Sequence, residues 1–316
     1  MKLIIHLIVC GVLSVVASSV ALASQVPNVV VSIKPLHAWA SAVMEGVGTP
    51  ELLVKGTGSE HGYALKPSDA DMLSKANIVF IDNKHMETFL VKPLETLAPK
   101  AEVVALSEAS GVKLLPLREG GMFDPHHHGD EHGSEHADHD HNHGEHDLHF
   151  WLDPMNAVAA TYAIADDLSK LDPDHAARYH ANAEKYVKTL KNTIDQIQKK
   201  VAPYKGLHFI VFHDAYHYFE NRFGLKAAGS ITIDPEHQPG AKRLQTIHQK
   251  IKDLNAVCVF SEPQFEPAVV SIVIEGTNAK KGVLDPLGVN LEPGKDAYPA
   301  LLNEISDSLI KCAQSQ

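Results

Sequence analysis

Short apolar, β-branched runs alternate with amphipathic stretches along this chain. Asn28 to Ile33 is followed by Pro35 to Glu45, and Asn77 to Ile81 by His85 to Leu97. That is the rhythm of parallel-sheet α/β units. It resumes with strands predicted at Leu207 to Phe212, Ala256 to Phe260 and Gly282 to Leu284, and helices near 214–223, 240–254 and 266–276. Between the two series, Pro173-Asp174 opens a stretch with no internal Pro or Gly as far as Val201, stopped by Pro203 and Gly206. A helix of that length reaches about 40 Å and can hold two domains in one orientation. Its apolar stripe of Tyr179, Ala183, Tyr186, Leu190, Ile194 and Ile197 lacks the clean heptads of a coiled-coil arm. The pattern therefore predicts an α/β protein of two mostly parallel lobes, at 24–172 and 204–316, joined by a long helix over 173–203.

The first segment changes the compartment. Lys2 precedes an apolar run from Leu3 to about Val20, and Ala21-Leu22-Ala23 supplies the small-x-small pattern of a cleavage site. The run is shorter than the roughly 20 residues that span a bilayer, and no second stretch of spanning length follows. Residues 1–23 are expected to be a signal peptide cleaved near Ala23, leaving a soluble exported protein. Cys10 has no small residue before it and comes too early for lipid attachment. Its removal leaves Cys258 and Cys312 where disulfides persist, and the two are expected to pair; two buried thiols are the other reading. The formal charge of −11, with no basic stripe, argues against nucleic acid as a partner. We expect a monomer.

Candidate chemistry is dominated by histidine, with 21 in the chain. Asp124 to Asp147 holds nine of them (His126, His127, His128, His132, His136, His139, His141, His143 and His146) among eight acids. So polar a stretch buries too little surface to offset its ordering entropy, so a disordered loop over about 120–147 is predicted in the first lobe. Its imidazoles and carboxylates suit several weak metal sites, because nothing fixes their geometry. A tight site needs ligands on rigid elements, and in α/β sheets it lies beyond the carboxyl ends of the strands. That rule selects His61, after the strand candidate Glu51 to Val54, His149, where structure resumes, and His213, directly after Phe209 to Phe212. Asp285 ends Gly282 to Leu284 in the same way. Glu60 and Asp285 both have a claim to the fourth ligand, and water could replace either; Glu60 or water is favoured, with Asp285 alternatively bonded to a ligand imidazole. His37, His85, His208, His237 and His248 are expected to be surface or capping residues.

Ser59-Glu60-His61 with Leu65-Lys66-Pro67-Ser68-Asp69, His149-Phe150-Trp151-Leu152-Asp153-Pro154, Val211-Phe212-His213-Asp214-Ala215-Tyr216 and Leu284-Asp285-Pro286-Leu287-Gly288 together resemble the metal-binding subunits of zinc and manganese ABC importers. The match runs in order over essentially the whole mature chain. It implies two four-stranded α/β lobes, a rigid linking helix, and a metal held between the lobes by His61, His149 and His213. It also implies periplasmic capture of Zn2+ as transported ligand and delivery to a transmembrane permease, with the cytoplasmic ATPase acting indirectly. His at 213, where manganese members usually have Glu, and an acidic His-rich insertion place the resemblance in the zinc branch. Three imidazoles and at most one carboxylate suit zinc on chemical grounds too. Cys258 and Cys312 match a disulfide of that branch.

Two other classes compete. His213-Asp214-Ala215-Tyr216-His217 has the i, i+4 spacing of a zinc-hydrolase helix, although Asp214 would have to serve as base and the run before His213 reads as a strand. No Gly-x-Ser-x-Gly elbow appears, and we expect no enzyme. A secreted metal buffer or adhesin, with the His-rich loop as its working part, is the other. A histidine site predicts that zinc affinity falls as pH drops toward and below about 6.5.

Overall fold

The computed structural model describes residues 26–118, 123, 146–232, 235–265 and 268–314. The expected signal peptide and all of the His-rich stretch except His146 and Asp147 lie outside the described residues. The first lobe runs β1 (Val29–Val31), α1 (Lys34–Val43), β2 (Glu51–Leu52), α2 (Pro67–Lys75), β3 (Ile78–Ile81), α3 (Thr88–Leu97) and β4 (Glu102–Ala105). An antiparallel ribbon of β5 (Leu115–Pro116) and β6 (His146–Asp147) follows, then α4 (Pro154–Leu171). The linking helix α5 (Ala176–Val201) leads to β7 (Phe209–Val211), α6 (His217–Phe223), β8 (Gly229–Ser230), α7 (Ala241–Asp253), β9 (Cys258–Ser261), α8 (Ala268–Ile274), β10 (Lys280–Val283) and α9 (Ala297–Ala313).

Both four-stranded sheets are wholly parallel, in the orders β2-β1-β3-β4 and β10-β9-β7-β8. The central strands β1, β3, β7 and β9 are buried throughout because helices cover both faces. Alternation along each strand sorts the side chains. Val29, Val31, Ile78, Phe80, Phe209, Val211 and Phe260 turn into one core that crosses both lobes. Val30, Val79 and Ile81 pack outward with Met72, Leu73, Leu90 and Leu94 of α2 and α3, while Ile210 and Val259 pack with Ile247, Ile251 and Val270 of α7 and α8.

The shared core makes the linking helix a spine. The helix has 26 residues, about 39 Å long, and packs on α4 and α1 of the first lobe and on α9 of the second. At its centre Trp39 stacks edge-on against Phe150 and Tyr298, with ring centroids 5.9 and 5.2 Å apart. Polar contacts cross the same boundary. Lys34 Nζ donates to the carbonyls of Gly288, Val289 and Leu291 at 2.6, 2.8 and 2.8 Å. Trp151 Nε1 donates to Pro286 O at 2.9 Å, and the Tyr298 hydroxyl to Trp151 O at 2.5 Å. Cys258 at the start of β9 is bonded to Cys312 of α9.

Three details depart from the sequence reading. The His-rich stretch ends one ribbon earlier than expected, since His146 and Asp147 pair with Pro116 and Leu115. His37, expected at the surface, is buried: α1 packs it against the chain leading to β2, where its Nε2 lies 3.0 Å from Pro50 O. The edge strands β4 and β8 and the helices α2, α4 and α9 complete a pattern whose other elements the periodicity marks.

Candidate metal centre

The centre is built from chain leaving strands at their carboxyl ends. β7 stops at Val211; Phe212 turns outward to the α7 and α8 side, so His213 points back between the lobes. Its ring is fixed by an acid from the neighbouring strand end, Glu262, which follows β9. Glu262 Oε1 and Oε2 lie 2.9 and 2.7 Å from His213 Nδ1. Because a carboxylate only accepts, Nδ1 carries the hydrogen and Nε2 is left facing the cleft. Burial alone lowers the basicity of this imidazole, but Glu262 outweighs it and raises the pKa to about 9.

His149 is held the same way from the other lobe. Asp147 at the end of β6 accepts from the His149 backbone N–H at 3.0 Å and lies 2.8 Å from its Nδ1, again leaving Nε2 inward. Burial works against the Asp147 anion, yet His149 more than compensates and holds it well below the usual carboxylate range. The third arm is the loop after β2, where Ser59 Oγ accepts from the His61 backbone at 3.1 Å. Asp69 closes that loop, accepting from the Lys66 N–H at 2.9 Å and from the Tyr63 hydroxyl at 3.1 Å as it caps α2.

These arms bring Glu60, His61, His149 and His213 together, with one ligand atom of each within 4.8 Å of all the others. The three rings form a nearly equilateral triangle, with centroids 5.5, 5.4 and 5.2 Å apart. His149 Nε2 and His213 Nε2 are 3.2 Å apart. Two bare lone pairs would repel at that distance, so the nitrogens share either a proton, with His213 as the donor, or a cation. Tetrahedral zinc with bonds near 2.0–2.1 Å spaces its nitrogens about 3.3 Å apart, matching it. Glu60 is 1% exposed and neither carboxylate oxygen has a hydrogen-bond partner. Burial raises its pKa against the pull of His213 and His149. An unpaired buried carboxyl is costly, and a metal ion would satisfy it. His61 is the least buried of the four, so the cleft opens on its side.

Asp285 lies outside this group. Its Oδ1 accepts from the backbone N–H groups of Leu287 and Gly288 and from Gln264 Nε2, and its Oδ2 from the Val289 N–H at 2.6 Å. Four donors occupy it as the keystone of the turn that Lys34 grips. Among the described residues no hydrogen bond joins it to an imidazole of the cluster; Asp147 and Glu262 take the orienting role considered for it. Glu262 carried the same signal as Asp285, an acid just past a strand and before proline. Asp147 carried another, an acid two residues before a histidine whose N–H it caps.

A family profile described as zinc-uptake complex component A, periplasmic, matches residues 29–312. The chain belongs to this component A family. Among its members, the high-affinity zinc uptake system protein ZnuA of Brucella abortus is 52% identical over 311 residues, covering 92% of this chain and 93% of the relative. The protein of the same description from Yersinia pestis is 40% identical over 291 residues, with 90% of each covered. A crystal structure of ZnuA superposes with a TM-score of 0.72 at 22% identity, over 90% of this chain and 100% of the other. The laminin-binding adhesin Lmb of Streptococcus agalactiae superposes with a TM-score of 0.71 at 23% identity, over 90% and 99%. At such identities the superpositions speak for the component A fold alone.

Proposed function

We propose that this chain captures Zn2+ in the periplasm and delivers it to the membrane permease of a zinc ABC importer. His61, His149 and His213 are the ligands, with Glu60 or water as the fourth. The observation that carries this is the meeting of two carboxylate-backed imidazoles, one from each lobe, at 3.2 Å beside His61 and a buried carboxyl. The zinc-uptake names of relatives at 52% and 40% identity support the cargo and the importer. The protein binds rather than catalyses: His213 sits past a strand and only His217 begins a helix, so no helix presents both to one metal as a zinc hydrolase requires. No helix among the described residues is long and apolar enough to cross a membrane. The permease is reached from the periplasm after the signal peptide is cleaved near Ala23, and the ATPase acts through it.

The His-rich stretch is an auxiliary weak site that gathers or senses zinc ahead of the cleft. Competition calorimetry on the mature protein tests both parts. The triple variant His61→Ala, His149→Ala, His213→Ala is expected to lose a tight site that deletion of residues 126–147 leaves intact. The reverse result makes the lobes scaffolding and the protein a metal buffer.

A further inference from the structure

His217 is the histidine that the spacing singled out and the metal cluster does not use. It is the first residue of α6, in the second lobe, four residues after the ligand His213. Its buried Nδ1 makes no hydrogen bond at ordinary geometry and lies at ion-pair distance, 3.5 Å, from Oδ2 of Asp147 in the first lobe. Asp147 is thus divided between two imidazoles, with Oδ1 on His149 and Oδ2 facing His217. The neighbouring Tyr218 holds the same residue by its backbone, its hydroxyl donating to Asp147 O at 2.5 Å and accepting from Leu115 N at 2.8 Å. One turn on, Arg118 beyond β5 donates to Glu220 at 2.8 and 3.1 Å and also pairs with Asp214. The segment that carries His213 therefore also grips the ribbon that carries Asp147.

We propose that His217 is a positioning residue for zinc binding, acting through Asp147: it fixes from across the lobe boundary the carboxylate that aims His149 at His213. The inference rests on the zinc reading above and assigns His217 no bond to the metal. Among the described residues the partner facing Oδ2 of Asp147 comes from the second lobe, whereas Glu262 meets His213 with both oxygens inside its own lobe. With no donor at 217, the Asp147 carboxylate can turn about its own side-chain torsion, and the hold on His149 Nδ1 loosens. Asn at 217 can place its amide nitrogen near the position of Nδ1; Ala cannot.

The test compares zinc affinity, by chelator competition on the full mature chain, in wild type, His217→Ala, His217→Asn, Asp147→Ala and the double variant Asp147→Ala, His217→Ala. Removing a partner that orients a metal ligand costs roughly 10- to 100-fold in affinity, which is the expectation for Asp147→Ala. One step further out, His217→Ala should lose about 3- to 10-fold and His217→Asn should recover most of it. The double variant should bind no more weakly than Asp147→Ala alone, because the two act in series. Cobalt in place of zinc should keep a tetrahedral visible spectrum in His217→Ala. The proposal is overturned by undiminished affinity in His217→Ala, by an Asn variant no better than Ala, by losses that add in the double variant, or by a changed cobalt ligand number. If Asp147→Ala does not fold, the Ala and Asn variants at 217 decide alone. A wild type without tight zinc overturns this inference together with the reading beneath it, and is told apart because the unmutated chain itself fails.

Discussion

The two lobes repeat one strand order, and the acid that follows the third strand of each meets a different fate. In the second lobe that acid is Glu262, and the residue two past the first strand is His213, so acid and imidazole form a buried pair. In the first lobe the equivalent acid is Asp82, after β3, but the residue two past β1 is Ile33. Asp82 meets another carboxyl instead: its backbone N–H donates to Glu87 Oε2 at 2.7 Å, while both of its own oxygens are buried without a hydrogen-bond partner. Burial and Glu87 push Asp82 well above its ordinary pKa, and burial pushes Glu87 to about 8. One topological position thus yields a support for an imidazole of the cluster or an acid whose proton is held more tightly in the core. The imidazole across from it decides which.

The largest way to disturb this comparison is through the staple that only the second lobe carries. Closing the 54-residue separation between Cys258 and Cys312 contributes about 4 kcal/mol on the loop-entropy account, less any native strain. Cys258→Ser with Cys312→Ser should lower denaturant stability by up to that amount. Retained stability would mean that packing of α9 alone holds β9 in place.

Next is Glu262→Gln, expected to weaken zinc about 10- to 100-fold in calorimetry at pH 7.5. Asp82→Asn should change it less than about twofold, being no partner of a ligand. Equal losses would break the distinction between the two acids.

The pH dependence sharpens it further. His213 is raised to about 9, so below that pH the metal-free site holds a proton that zinc must displace. Affinity should fall about tenfold per pH unit from pH 9 downward, for that one proton. This moves the onset up from the value near 6.5 that an ordinary histidine gives, and Glu262→Gln should move it back. The same shift acts on the metal-free fold: stability from the His213–Glu262 pair is fully present below about 6.5 and lost as pH rises through about 9.

The smallest expected effect is on the first lobe. Both raised carboxyls favour the fold while protonated; the contribution of Glu87 is lost as pH rises through about 8, and that of Asp82 as pH rises through its own raised pKa. Asp82→Asn should raise the melting temperature of the metal-free protein at pH 8 by about 2–4 °C, or about 1 kcal/mol. A lower melting temperature would show that the Asp82 anion is stabilising.

The fold was legible because its central strands are buried on both faces and so appear as largely apolar runs. β8, two residues long, and β4, half exposed, carry too little of that signal. That His61, His149 and His213 converge was legible from strand ends and the motifs around them. Their supports were harder to see, because Glu262 and His213 are 49 positions apart and meet only through the order of β7 and β9. Asp285 shows the cost of the same rule, since a strand-end acid can as readily close a turn as face a metal.

The buried ammonium of Lys34, held by three carbonyls of the opposite lobe, gives the molecule a mechanical character. Parting the lobes would break all three of those hydrogen bonds together with the apolar core that crosses the same boundary. The receptor is therefore stiff along the direction in which it would otherwise hinge. Of the four clustered residues only His61, on the loop after β2, is partly exposed, so the cluster meets solvent at a loop.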